Sequence, residues 1–257
     1  MGHTILLQWT YNPPQRTAPL NEYILTRILE HYGLSQPIRT TVQLRTFRAA
    51  VDTSTRLLTT LAYSPPVLPG RETPSQPRDN TTFIIIDDRP AVNGPEPTVD
   101  QTIKPAAPSQ FSSIAVRPAA HVLPLLTNLL SPFVMGLTKS ARAAASTTAE
   151  IPRPTTLPGT PLAITSLTFS PPSAPHPPVT LTIHNLPSQT AASIFLEAEC
   201  ETEEVLRDFL AGCLPEGVGG DVKYMGWDGE ESSWEGLERT RKASQMLVRL
   251  LRESGLT

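Results

Sequence analysis

Proline placement constrains this chain more than any other feature. Twenty-three of its 28 prolines fall between Pro65 and Pro187. A residue that fixes φ and lacks a backbone N–H is kept out of helix interiors and central strands. These prolines gather at Ser64–Asn80, Pro90–Pro108, Pro152–Pro161 and Pro171–Pro178. The clusters read as long loop insertions near residues 64–80, 90–117, 150–161 and 170–178. They read less well as ligands for proline-recognition modules, because the P-x-x-P spellings lack consistently placed basic flanks. The core must therefore come from the segments between them. With 39% hydrophobic residues in 257, the chain has enough apolar side chains for one, and we expect a single domain over residues 1–257.

The intervening segments carry clear periodicity. Thr4–Thr10 is a short apolar run of strand type. Leu20, Ile24, Ile28 and Tyr32 recur at helical spacing, with Pro19 in the first turn and Gly33 as the stop. Val42–Ala50, Leu57–Tyr63 and Thr81–Ile86 read as strands, the last ending in the continuous run Phe83-Ile-Ile-Ile86 of a strand buried on both faces. A helix over Ala119–Leu137, broken near Pro132, and an alanine-rich stretch at Ser140–Ala149 open the second half. Strands follow at Leu162–Phe169, Val179–His184 and Ser193–Glu199, then a helix over Glu201–Cys213 with Val205, Leu206, Phe209 and Leu210 as its stripe. Val222–Met225 fits a short edge strand. Ser232-Ser-Trp-Glu235 has capping-box spacing, and the last helix then places Ala243, Leu247, Leu250 and Leu251 on one side. The order β-α-β-β-β, then α-β-β-β-α-α, describes an α+β fold with antiparallel sheets in two related halves, able to close into one barrel-like core.

Bulk properties exclude several classes. A net charge of −3 and a pI near 6.0 give no basic field for nucleic acid. Acidity is concentrated late: from Glu197 onward there are 14 acids and 7 bases (−7), against 10 acids and 14 bases (+4) before it. Two cysteines, Cys200 and Cys213, make neither a disulfide framework nor a four-thiolate zinc site, and read as buried thiols. The first residues lack a secretory pattern. The longest apolar stretch, Val122–Leu137, is interrupted by Pro124, Asn128, Ser131 and Pro132, so no membrane span is expected.

Candidate chemistry is sparse. Asp87 and Asp88 follow a buried strand, a place where catalytic acids often sit, and an acid pair there is the basis of an alternative reading as a small hydrolase or phosphoesterase. His3, His31, His121, His176 and His184 show no metal-ligand spacing. His121 or His184 would serve Asp87 and Asp88 only if a pocket joined them. Gly217-Val-Gly-Gly220 lacks the lysine and hydroxyl residue of a phosphate-binding loop and reads as a tight turn. Arg239, Arg241 and Lys242 sit beside Glu235 and Glu238, the pattern of a salt-bridged solvent face. Trp9, Trp227 and Trp234 are too scattered for a base-stacking platform. No catalytic, cofactor-binding or metal-binding residue is assigned from these patterns, and no cofactor is expected.

The element order, with Leu44-Arg-Thr-Phe-Arg48, Leu57–Tyr63, Thr82-Phe-Ile-Ile-Ile-Asp-Asp88 and Ser193-Ile-Phe-Leu-Glu-Ala-Glu199, resembles the Mediator complex subunit 20 family. That resemblance implies a fold related to the TATA-binding protein and a non-catalytic, nuclear subunit of the Mediator head module. It also implies pairing with Mediator subunit 18, contact with a helix of subunit 8, and a role in RNA polymerase II transcription. An unpaired sheet edge or the last helix is the expected docking surface.

Overall fold

Strands form where β-branched and apolar residues recur without proline, and every run read as a strand is one in the computed structural model. The structure describes residues 2–11, 20–33, 37–51, 54–64, 77–90, 110–128, 160–171, 178–187, 193–216, 219–226 and 236–256. In chain order the elements are β1 (His3–Thr10), α1 (Leu20–Tyr32), β2 (Ile38–Val51), β3 (Ser54–Ser64), β4 (Thr82–Pro90) and β5 (Gln110–Val116). Then come α2 (Val122–Asn128), β6 (Thr160–Phe169), β7 (Thr180–Asn185), β8 (Ser193–Cys200), α3 (Glu203–Cys213), β9 (Asp221–Gly226) and α4 (Gly236–Glu253). Short 3-10 turns lie at Pro77–Asn80 and Ala119–His121. The α+β class is as expected. The strands are hydrogen-bonded in the order β5-β4-β3-β2-β6-β7-β8-β1-β9, so the order has two ends, β5 and β9.

One expected loop is corrected. Residues 110–116, placed within the proline-rich insertion at 90–117, form β5 and pair antiparallel with β4, Ile84 opposite Ile114. The segment Gln110-Phe-Ser-Ser-Ile-Ala-Val116 itself contains no proline and alternates in strand fashion. Proline density on either side masked it. The helix expected over 119–137 is described as a 3-10 turn and then α2 to Asn128; its remainder, the alanine-rich stretch, the capping box at 232–235, and Trp227 and Trp234 lie outside the described residues.

The chain divides into two compact units that interleave in sequence. The first comprises Met1–Gln43, Ala62–Asp79 and Leu162–Thr257, and the second Leu44–Leu61 and Asn80–Pro161. In the first unit β7, β8, β1 and β9 lie side by side in antiparallel register, with Leu181 opposite Ala198, Ile5 opposite Ala198, and Leu7 opposite both Leu196 and Tyr224. Alternation sends Ile5, Leu7, Trp9, Ile183, Leu196 and Ala198 to one face. There they pack with Ile24 and Ile28 of α1 and Leu206, Phe209 and Leu210 of α3. Phe209 stacks at a tilt on Tyr32, ring centroids 4.6 Å apart. The stripe read on the last helix (Ala243, Leu247, Leu250, Leu251) is buried, and α4 packs on β1 and β9 of its own sheet.

Gly220 precedes β9 with φ +149, and a Cβ there would stand 2.5 Å from Trp9 Nε1 and 2.7 Å from the Thr10 carbonyl oxygen. Gly220 thus leads into β9 through a close backbone approach; Gly217 lies outside the described residues. In the second unit Phe47, Leu58, Ile84 and Leu126 form a small core. Asn80 Oδ1 accepts a bond from the Ala119 N–H at 3.2 Å.

Candidate active site

The opposite face of the same strands is polar at its centre. Antiparallel register puts Ser166 across from His184, Thr182 across from Glu197, and Thr4 and Thr180 across from Glu199. Period-2 alternation then places Ser166, Thr182, His184, Glu197 and Glu199 on one face of β6, β7 and β8. A chain of hydrogen bonds crosses the three strands. Ser166 Oγ lies 2.8 Å from His184 Nδ1, and His184 Nε2 lies 3.0 Å from Glu197 Oε2. Ser166 and His184 are both buried, and the Glu197 side chain is only 13% exposed.

Glu199, two residues along β8, meets Arg239 from the first turn of α4 at 3.0 Å. Its carboxyl is pushed up to about 7, first by burial and then by the neighbouring Glu197 charge, against the opposing pull of Arg239 and Arg78. Two carboxylates on adjacent same-face positions raise the cost of ionising both, so one holds a proton near neutrality. Arg78, in the Pro77–Asn80 turn, sits 5.5 Å from the centroid of the Tyr63 ring. The Tyr63 hydroxyl is 3.0 Å from Ser244 Oγ of α4, and Ser244 in turn donates to the Thr240 carbonyl oxygen at 2.7 Å. Ser244 therefore accepts from Tyr63, whose phenol is held neutral, its pKa raised by burial first and then by Glu197.

The residues singled out from sequence distribute differently. Asp87 is fully buried within β4 of the second unit, opposite Phe111, and the side chain of Asp88 lies outside the described residues. His121 belongs to the second unit's 3-10 turn and is exposed; His184 belongs to the first unit. His3 is half-buried at the start of β1, while His176 and the side chain of His31 lie outside the described residues. Among the described residues no group of three or more His, Cys, Asp or Glu side chains is placed to hold a metal ion. Cys213 is a buried thiol pushed up to about 12 by its burial, and Cys200 is half-buried.

The basic cluster on the last helix splits three ways. Arg241 pairs with Glu238, Nε to Oε2 at 2.8 Å, as a solvent-face ion pair. Arg239 instead reaches across to Glu199, and Lys242 is buried. Glu197 and Glu199 were missed as a site. The signal was present in the spacing: Glu197-x-Glu199, Thr180-x-Thr182-x-His184 and Ser166-x-Thr168 each repeat a polar residue at period two, opposite an apolar repeat. Only the register shows that these three repeats share a face.

No family model and no curated protein matches the chain. Among solved structures it is similar to a crystal structure of the inorganic triphosphatase NE1496, at 8% identity over 86% of this chain and 84% of that one, with a TM-score of 0.32. A crystal structure of the hypothetical protein NE1496 aligns at 8% identity over 86% of this chain and 87% of that one, with a TM-score of 0.31. These findings correct the expected kinship with Mediator complex subunit 20. The associated reading as a non-catalytic head-module component in transcription falls with it. The residues that suggested it are apolar strand runs, which any large antiparallel sheet carries, and they include few polar anchors that would single out one family.

Proposed function

We propose that the chain is a hydrolase of the phosphoesterase type, with Glu197 and Glu199 as its acid–base pair. The observation that carries this reading is the convergence of Glu197, Glu199 and His184 on one partly buried sheet face, with Arg239 bonded to Glu199. The acid pair at a strand end is thus on β8 rather than at Asp87 and Asp88. Paired carboxyls in unlike surroundings divide acid and base roles between them. A general acid or base works best with a pKa near the working pH, which is where Glu199 lies.

In this reading Arg239 and Arg78 face the phosphoryl oxygens, matching their planar forks to the anion. Glu197 takes a proton from water as its oxygen bonds to phosphorus. As the phosphorus–oxygen bond to the leaving group breaks, the proton on Glu199 passes to the departing oxygen. Proton transfer through the emptied site to solvent then restores both groups.

The test is release of product from p-nitrophenyl phosphate, bis(p-nitrophenyl) phosphate, pyrophosphate and inorganic triphosphate, with and without added magnesium. Wild-type turnover of one of these substrates is expected, with Glu197→Gln and Glu199→Gln each lowering kcat by roughly 100-fold or more while the proteins stay folded by circular dichroism. No turnover by the wild type, or full activity in both variants, overturns the reading.

A further inference from the structure

The bond chain behind Glu197 fixes a proton in one place. As the base of the proposed reaction Glu197 is a carboxylate, which only accepts, so its 3.0 Å bond with His184 Nε2 requires the hydrogen on Nε2. In the neutral ring Nδ1 is then an acceptor, and the hydroxyl 2.8 Å away on Ser166 donates to it. Ser166 and His184 are both 2% exposed, so water does not substitute for either partner. Each group comes from a different strand, β6, β7 and β8, so the sheet register itself holds the chain straight.

We infer that His184 is a positioning residue for Glu197, acting through an Nε2–H tautomer that Ser166 fixes. This rests on the hydrolase reading of the same site. With Oε2 held by His184, the carboxylate cannot rotate, and Oε1 is the oxygen turned toward the attacking water. Neither His184 nor Ser166 touches the reacting atoms. The arrangement has the logic of outer partners that orient an acid or base without performing the chemistry.

The tautomer makes a discriminating prediction. A glutamine side chain places its amide nitrogen close to where Nε2 sits, whereas asparagine places it near Nδ1. His184→Gln therefore keeps a donor to Glu197, and His184→Asn does not. On the full-length chain we expect His184→Gln to retain kcat within a few-fold of wild type. His184→Asn is expected to lose roughly 10–100-fold in kcat with KM little changed. Ring-nitrogen NMR of the wild type should show His184 protonated at Nε2 and bare at Nδ1, and Glu197→Gln should mix the two tautomers, since an amide both donates and accepts.

Three results overturn the inference: an Nδ1–H tautomer in the wild type, equal kcat losses in both His184 variants, or losses confined to melting temperature. The NMR arm needs no activity. The expected tautomer in a wild type that turns over no phosphate substrate defeats the hydrolase reading and the positioning role together. An Nδ1–H tautomer in an active wild type defeats the positioning role alone.

Discussion

Strands β8 and β1 are covered on both faces, and the two coverings differ in what they add to apolar packing. On one face α1 and α3 meet the sheet through Ile24, Ile28, Leu206, Phe209 and Leu210, all buried against apolar strand residues. On the other, α4 also buries an apolar stripe, Ala243, Leu247, Leu250 and Leu251, but its ends are tied by polar links: Arg239 to Glu199 at the first turn, and Ser254 Oγ to Gln8 Oε1 at 3.0 Å just past the last. Burial of apolar surface stabilises without directional demands. Buried carboxyls and a histidine must each find partners, and a well-packed apolar substitute is often at least as stable. Apolar packing on both faces holds the fold together. The second face retains groups that a fold optimised for stability would discard, which is why the chemistry is assigned there.

The contrast is most exposed to test on the apolar side. Phe209 is 3% exposed and packs on Tyr32, so Phe209→Ala leaves a cavity that the surrounding sheet cannot fill. A loss of about 3–5 kcal/mol is expected in urea denaturation. A loss under about 1 kcal/mol would show that this face is not the core, and the contrast would collapse.

The polar side should respond with the reverse sign. Glu199 is lifted from 4.5 to about 7 in the folded protein, so the folded state binds its proton more tightly than the unfolded chain does. That contribution is fully present below about pH 4.5 and is lost as the pH rises through about 7. Glutamine carries no such charge. Glu199→Gln should therefore gain on the wild type as the pH is raised, by on the order of 1–3 kcal/mol between pH 4.5 and pH 8, even though it removes the Arg239 ion pair. Parallel denaturation curves at the two pH values measure this. A difference that does not grow with pH would mean that burial of Glu199 imposes no cost, and the two faces would differ less than their composition suggests.

Much of the fold was legible in the sequence because most strands follow local patterns. Leu57–Tyr63, Val179–His184 and Ser193–Glu199 alternate, and Phe83–Ile86 is a continuous apolar run. The strand at Gln110–Val116 escaped because proline density was read over a window wider than the strand itself. The site was far less legible, for a different reason. Ser166, His184 and Glu197 are separated by 18 and 13 positions, and nothing local marks them as neighbours. Adjacent acids drew attention to Asp87-Asp88, yet successive strand positions fall on opposite faces. The i, i+2 spacing of Glu197 and Glu199 is the one that brings two carboxyls together. Arg239 looked like part of a solvated charge cluster because the helix it starts was seen without the strand it lies on.

The smallest expected effect sharpens the contrast at the far end of α4. Ser254 Oγ lies 3.0 Å from Gln8 Oε1 and 2.7 Å from the Leu250 carbonyl oxygen, so its one proton serves two acceptors in turn. Gln8 keeps other company, its amide donating to Ser193 Oγ at 3.2 Å and Thr10 Oγ1 at 3.3 Å. Nearby, Glu253 pairs with Lys223 and, at 3.1 Å, with Arg249, and these side chains are solvated enough for water to replace a lost bond. Ser254→Ala should cost about 0.5–1 kcal/mol in urea denaturation. A cost above about 2 kcal/mol would mean that this polar link holds α4 to the sheet as firmly as its buried apolar stripe does.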